Sequence, residues 1–342
     1  MYKVKITTGS KSDYWLRQTK GGRGISHCGR YQFFVDQKVE DPDFWVVRNK
    51  YIKNATSCFV APSNTVLMVS EPLSVVNFPQ RYCNQFGLYY TCQEHAKHRN
   101  IRKGGAALPW FIGGVKDDGN HSITYDLLKG SPLPKKTKLI SVITSNKAFT
   151  QGHQDRIDFV SKLKAYYGDR LDVFGRGFND FDDKWDVLAP YQYHISLENS
   201  SSQYYWTEKI SDCYLAGTFP IYYGCTNLSD YFPQEGFRAI DIARFDEAVA
   251  TIDAIIASDL YAKSVPVLER CKDLVLDNYN IFTQISKLCD ELDPDAPKTE
   301  CVLYPAKTLF DWHNFKLYFF QRNYFALKNW TRKLFRKNAL KV

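Results

Sequence analysis

Lys209, Arg176 and Glu71 are the residues of this chain whose types and settings suit moving a group from a phosphate leaving group to a hydroxyl. Lys209 closes the run Thr207-Glu208-Lys209, which follows the polar stretch Glu198-Asn199-Ser200 and Tyr205. Arg176 lies between two glycines, Gly175 and Gly177, so the backbone can come close to a ligand and the guanidinium can grip phosphate oxygens two at a time. Either cation would stabilise charge growing on a departing diphosphate. Glu71 ends the apolar run TVLMVS and precedes Pro72, where a carboxylate can project from a sheet rim as a general base. Taken singly, each has a plainer reading: a surface lysine, a turn arginine, a solvated strand-end acid. His153 and Arg156 read as the polar start of a helix.

These side chains need a frame. Tyr191–Leu197 is an apolar and aromatic run that reads as a buried strand, and Glu198 to Gln203 is a polar loop. Thr207 then opens a helix with Glu208 in its first turn, and Phe219–Tyr223 is the next strand. The unit gathers Glu198, Asn199, Tyr205, Glu208 and Lys209 around one helix N-terminus, an end that favours anions. Upstream, Leu139–Thr144 and Leu171–Phe174 read as strands flanking an amphipathic helix over Gly152–Tyr167. Arg238–Ile242 and a helix over Asp246–Ala257 follow. Such alternation predicts an α/β fold with a parallel sheet and ligands at the carboxyl ends of its strands. Ser145 and Asn146, Arg176, and the 197–200 stretch all fall at such ends. Residues 1 to about 130 show shorter strand runs, and Gly130 to Lys138 reads as a linker.

The chain has 342 residues and a net charge of +8, all of it carried by the end of the sequence. Beyond Asp311 there are eight bases and no acids, leaving 37 bases against 37 acids over residues 1–311. A neutral body argues against a nucleic-acid surface. No apolar run is long enough to span a bilayer, and the nine cysteines form no CxxC pair, which suits reduced thiols in a cytoplasmic protein. Residues 326–342 carry six bases beside Trp330 and several large apolar groups, the composition of a helix lying in a lipid interface. The acidic pairs at 41–43, 182–183 and 293–295 make no convincing metal site.

The stretch Leu197 to Lys209, with Phe219-Pro-Ile-Tyr-Tyr-Gly224 after it, closely resembles the donor motif of family 10 glycosyltransferases, the α1,3/4-fucosyltransferases. SVITSNKAFTQGHQDRIDFVSKL, LDVFGRG and, less closely, VSEPLSVVNF resemble other parts of that family. The resemblance implies a GT-B architecture, two Rossmann-like domains facing a cleft. Residues 1–134 would bind the acceptor, 135–309 would bind GDP-fucose, and 310–342 would form the basic tail. It further implies Glu71 as base, Arg176 and Lys209 on the diphosphate, and Glu198, Asn199, Tyr205, Glu208, Ser145 and Asn146 around the donor. The implied reaction is an inverting transfer of L-fucose from GDP-β-L-fucose to a glycan hydroxyl, with α1,3 linkage to N-acetylglucosamine the first expectation. No cofactor is implied, and a divalent ion is at most stimulatory. A bacterial-type enzyme follows, held loosely at the inner membrane face by its tail and close to lipid-linked or lipopolysaccharide acceptors. Two rivals remain at this stage: a GT-B transferase using another nucleotide sugar, and a non-catalytic carbohydrate- or membrane-surface-binding module.

Overall fold

The structure is a computed structural model that describes residues 1–9, 12–49, 52–105, 108–114, 123–145 and 150–309. Asn146 and the whole basic tail, 310–342, lie outside the described residues.

The first half supplies β1 (Tyr2–Thr7), β2 (Tyr31–Val35), β3 (Phe44–Arg48), β4 (Thr56–Val60), β5 (Thr65–Val69), β6 (Leu88–Thr91) and β7 (Ile101–Lys103), with short helices α1 (Ser12–Leu16), α2 (Gln80–Cys83) and α3 (Tyr125–Gly130). Six of these strands form a sheet in the order β2-β1-β3-β5-β6-β7, parallel throughout. The central strand β5 is buried along its whole length, as a continuous apolar run covered on both faces must be. The second half builds β8 (Lys138–Ile143), α4 (Gln151–Tyr167), β9 (Asp172–Phe174), β10 (Tyr191–Leu197), α5 (Glu208–Leu215), β11 (Phe219–Tyr223) and β12 (Arg238–Ala239). Its sheet runs β12-β11-β10-β8-β9, again parallel, so the chain crosses over through helices between strands. Helices α6 (Phe245–Ala257) and α7 (Leu260–Asp273) complete the second core.

The chain then returns to the first sheet. Helix α8 (Ile281–Asp290) buries Ile281, Phe282, Ile285 and Leu288 against Val4, Phe33 and Val66. Strand β13 (Thr299–Leu303) pairs antiparallel with β4 over the opposite face. The 135–309 boundary drawn from sequence therefore cuts across a packing unit: residues 281–303 share their cores with the first half.

The architecture is GT-B: two Rossmann-like parallel sheets whose carboxyl strand ends face a common cleft. β3 and β5 bring Arg48, Asn49, Ser70 and Glu71 to it from one side. β8, β9 and β10 bring Thr144, Ser145, Arg176 and Asn199 from the other. The cleft encloses about 1010 Å³, at the upper end for small-molecule sites.

Candidate active site

The loop after β10 turns on Glu198. Its side chain is fully buried and accepts hydrogen bonds from Thr207 N (2.8 Å), Thr207 Oγ1 (2.7 Å) and Lys209 Nζ (2.9 Å). A buried carboxylate has to be met in this way, because desolvation without partners would cost several kcal/mol. Thr207 in turn caps α5, accepting from Lys209 N. Glu198 is thus withdrawn from the cleft surface. Expected as a donor contact, it stands behind the wall and holds Thr207 and Lys209 in position.

Beyond Lys209 the charges alternate. Lys209 Nζ lies 3.7 Å from Glu208 Oε1, and Lys184 Nζ lies 3.4 Å from the same oxygen and 2.9 Å from Asp212 Oδ2. Burial works to raise the Glu208 carboxyl, but Lys209 and Lys184 outweigh it and hold the group down at about 2. Burial pushes Asp212 up from its ordinary value, with Lys184 opposing. His194, buried beside Lys184 and bonded to Ser141 Oγ at 2.8 Å, is driven down to about 3 by burial first and by that lysine second, so it stays neutral. Lys209, Glu208, Lys184 and Asp212 form much of one cleft wall, with Glu198 anchoring the ladder from behind it.

Arg156 sits on the second turn of α4 and is 6% exposed. Its Nη1 donates to Asn199 Oδ1 at 2.6 Å and to Leu197 O at 3.4 Å, while its buried Nε has no partner among the described residues. Thr144 Oγ1, at the end of β8, is a second buried cleft atom without one. Unmet donors inside a cleft are costly unless a ligand meets them. Gly152 lets α4 come this close: a Cβ there would stand 2.1 Å from Asn199 O. The sequence suggested only a polar helix start at His153 and Arg156; both are buried and line the cleft. The available signal was spacing, since Arg156 shares a helix face with Phe159, Val160 and Leu163, and Ile157, expected there, is only half-buried.

Arg176 lines the rim and is exposed. Gly175 before it has φ +116, and a Cβ would lie 1.8 Å from Thr144 O, so this turn requires glycine. Asn199, Tyr205, Glu208, Lys209 and Ser145 line the same wall, Tyr205 being almost fully buried. Glu71 is half-buried on the opposite wall. Its carboxyl is raised above the usual value by burial, with Lys209 across the cleft and Arg48 beside it opposing. Its backbone is pinned by Gln93 Nε2, which donates to Glu71 O at 3.0 Å. The structure thus brings together every expected site residue that it describes, with Glu198 behind the wall, and adds Arg156, Lys184 and Asp212.

Among the described residues no group of three or more His, Cys, Asp or Glu side chains could hold a metal ion, and no helix is long and apolar enough to cross a membrane. All nine cysteines are free, eight of them buried.

Residues 133–259 match the family model described as glycosyltransferase family 10 (fucosyltransferase), C-terminal. A 74-residue stretch is 35% identical to an α-(1,3)-fucosyltransferase of Helicobacter pylori, covering 21% of this chain and 15% of that one. A 114-residue stretch is 25% identical to the 4-galactosyl-N-acetylglucosaminide 3-α-L-fucosyltransferase 9 of Cricetulus griseus, covering 32% and 30%. The chain thus matches less than a third of the length of these curated relatives. A crystal structure of an α1,3-fucosyltransferase with GDP superposes with a TM-score of 0.48 at 17% identity, over 82% of this chain and 90% of that one.

Proposed function

We propose that this chain, whose residues 133–259 match the family 10 glycosyltransferase domain, transfers L-fucose from GDP-β-L-fucose to a glycan hydroxyl with inversion at the anomeric carbon. The observation that carries the reading is the pairing across the cleft. Lys209, at the start of α5, and Arg156, with its unmet Nε, face a raised carboxyl, Glu71.

In this reading the donor diphosphate lies against Lys209, Arg156 and the first turn of α5, with Arg176 at the rim. Asn199, Tyr205, Glu208 and Ser145 surround the nucleotide sugar. The acceptor hydroxyl lies against Glu71. That carboxylate takes the hydroxyl proton as the oxygen attacks C1, and the bond from C1 to the phosphate oxygen breaks on the opposite face. Lys209 and Arg156 take up the charge that arrives on the diphosphate. One displacement converts a β-linked donor into an α-linked product. No divalent ion is required in this scheme, because these cations stand where a metal would act. The acceptor proposed is an N-acetylglucosamine-containing oligosaccharide fucosylated at O3, free or lipid-linked.

The test is incubation with GDP-fucose and a panel of galactose- and N-acetylglucosamine-containing acceptors, with and without a chelator, followed by NMR of the product. An α-fucosyl product formed at full rate in chelator is the expected result. Turnover of another nucleotide sugar but not of GDP-fucose would overturn the donor assignment, and a β-linked product the mechanism.

A further inference from the structure

The segment 110–113 crosses between the two halves without belonging to either sheet, and side chains satisfy its backbone. On the carbonyl side, Arg17 donates to Trp110 O at 2.8 Å, Ile112 O at 3.0 Å and Ile123 O at 2.5 Å. On the amide side, Phe111 N donates to Asp212 Oδ1 at 2.9 Å and Gly113 N to Asp183 Oδ1 at 2.7 Å. Lys184 follows Asp183 directly in the chain and pairs with Asp212 across the fold. Its Nζ bonds Asp212 Oδ2 and lies 5.0 Å from the centre of the Phe111 ring. That ring, 38% exposed, lines the cleft beside Tyr14. Flat apolar faces of this kind are what sugar rings pack against, and charge recognition is left to the other wall. The same Nζ lies 3.4 Å from Glu208 Oε1, the oxygen that also faces Lys209.

We propose that Lys184 is a positioning residue for transfer: through Asp212 it fixes Phe111 as an acceptor-facing platform, and through Glu208 it fixes Lys209 on the donor side. The proposal rests on the fucosyl-transfer reading and goes beyond it by joining the 110–113 segment to the donor-side ladder through one half-buried cation. Nothing in the ladder substitutes for Lys184, since Asp212 is fully buried and has no other ion pair among the described residues.

Lys184→Met, Lys184→Arg, Phe111→Ala and Lys184→Met/Asp212→Asn separate the links. The readouts are amide exchange of the 108–114 peptide, GDP affinity by calorimetry, and the KM for an N-acetyllactosamine acceptor. Lys184→Met should speed exchange about tenfold or more, weaken GDP about tenfold and raise the acceptor KM similarly, as loss of a charge-assisted bond does. Lys184→Arg should restore most of each. Phe111→Ala should raise the acceptor KM and leave GDP affinity unchanged. In the double variant the introduced amide oxygen still accepts from Phe111 N, and no buried charge is orphaned at Asp212's position. This variant therefore carries the test if Lys184→Met fails to fold: GDP affinity should stay weak while exchange returns towards wild type. Lys184→Met with wild-type constants, even with faster exchange, overturns the proposal. So does Phe111→Ala weakening GDP as much as Lys184→Met. Wild-type protein that neither binds GDP nor transfers fucose would instead overturn the fucosyl reading, and exchange would still decide whether Lys184 holds Phe111.

Discussion

The two walls of the cleft are built on opposite plans. The wall from the second sheet is a run of alternating charges, each held by its neighbours and most of them buried, from Glu198 to Asp212. The wall from the first sheet carries Glu71, half-buried, with burial acting on it first and Lys209 across the cleft and then Arg48 opposing. Removing a member of a buried ladder strands its partners, so effects there spread to stability and to donor binding together. Glu71 is in no ion pair within 4 Å among the described residues, so removing it leaves the pairs of the ladder intact. The difference suits a division of labour in which one wall holds a charged donor rigidly and the other keeps a base able to change its protonation state.

The largest effect should come from Glu71→Gln, which would lower transfer by roughly 100- to 10,000-fold, as loss of a general base does. GDP affinity and melting temperature should stay near wild type. If Glu71 is the base, it works ionised, and because burial raises its carboxyl, wild-type rate should fall with falling pH at a point above the ordinary carboxylate value, and the glutamine variant should lose that limb. Weakened GDP binding in Glu71→Gln would break the division between walls.

Lys209→Ala should cost roughly 100- to 1000-fold in rate. Unlike Glu71→Gln, it should also weaken GDP and lower the melting temperature, since Glu198 keeps only its Thr207 bonds. A Lys209→Ala protein of wild-type stability would mean the ladder is less coupled than its distances imply.

The two arginines sharpen the contrast within one wall. Arg156→Gln should weaken GDP about 10- to 100-fold, because the proposed bond to the diphosphate would be made out of water and to a charged group. Arg176→Ala, at the exposed rim, should cost less than about tenfold. Calorimetry with GDP ranks them, and the reverse order would move the diphosphate to the rim.

The smallest effect concerns the basic tail. Truncation after Ala326 should leave transfer to a soluble acceptor unchanged and remove salt-sensitive binding to anionic vesicles in a flotation assay. Each lost base is worth about 1 kcal/mol near such a surface. Full-length protein that ignores the vesicles at low salt would end the membrane reading.

The wall from the second sheet was largely legible in the sequence because it is local. Glu198, Asn199, Tyr205, Glu208 and Lys209 lie on one strand–loop–helix unit, and β10, α5 and β11 were each marked by apolar period and cap. The strands β1, β3, β5 and β6 were legible for the same reason, as short apolar runs between turns. What the sequence did not determine is everything that depends on which distant groups meet. Arg156 looks like any helical arginine until Asn199, 43 residues on, accepts from it. Asp183 and Lys184 look like a polar loop until Gly113, Phe111 and Asp212 close around them. The return of α8 and β13 to the first sheet is equally silent, because their apolar faces specify burial but not against which sheet. Periodicity records how a segment divides between water and core. The pairing of buried charges depends on distance and desolvation, and those exist only once the two halves have packed.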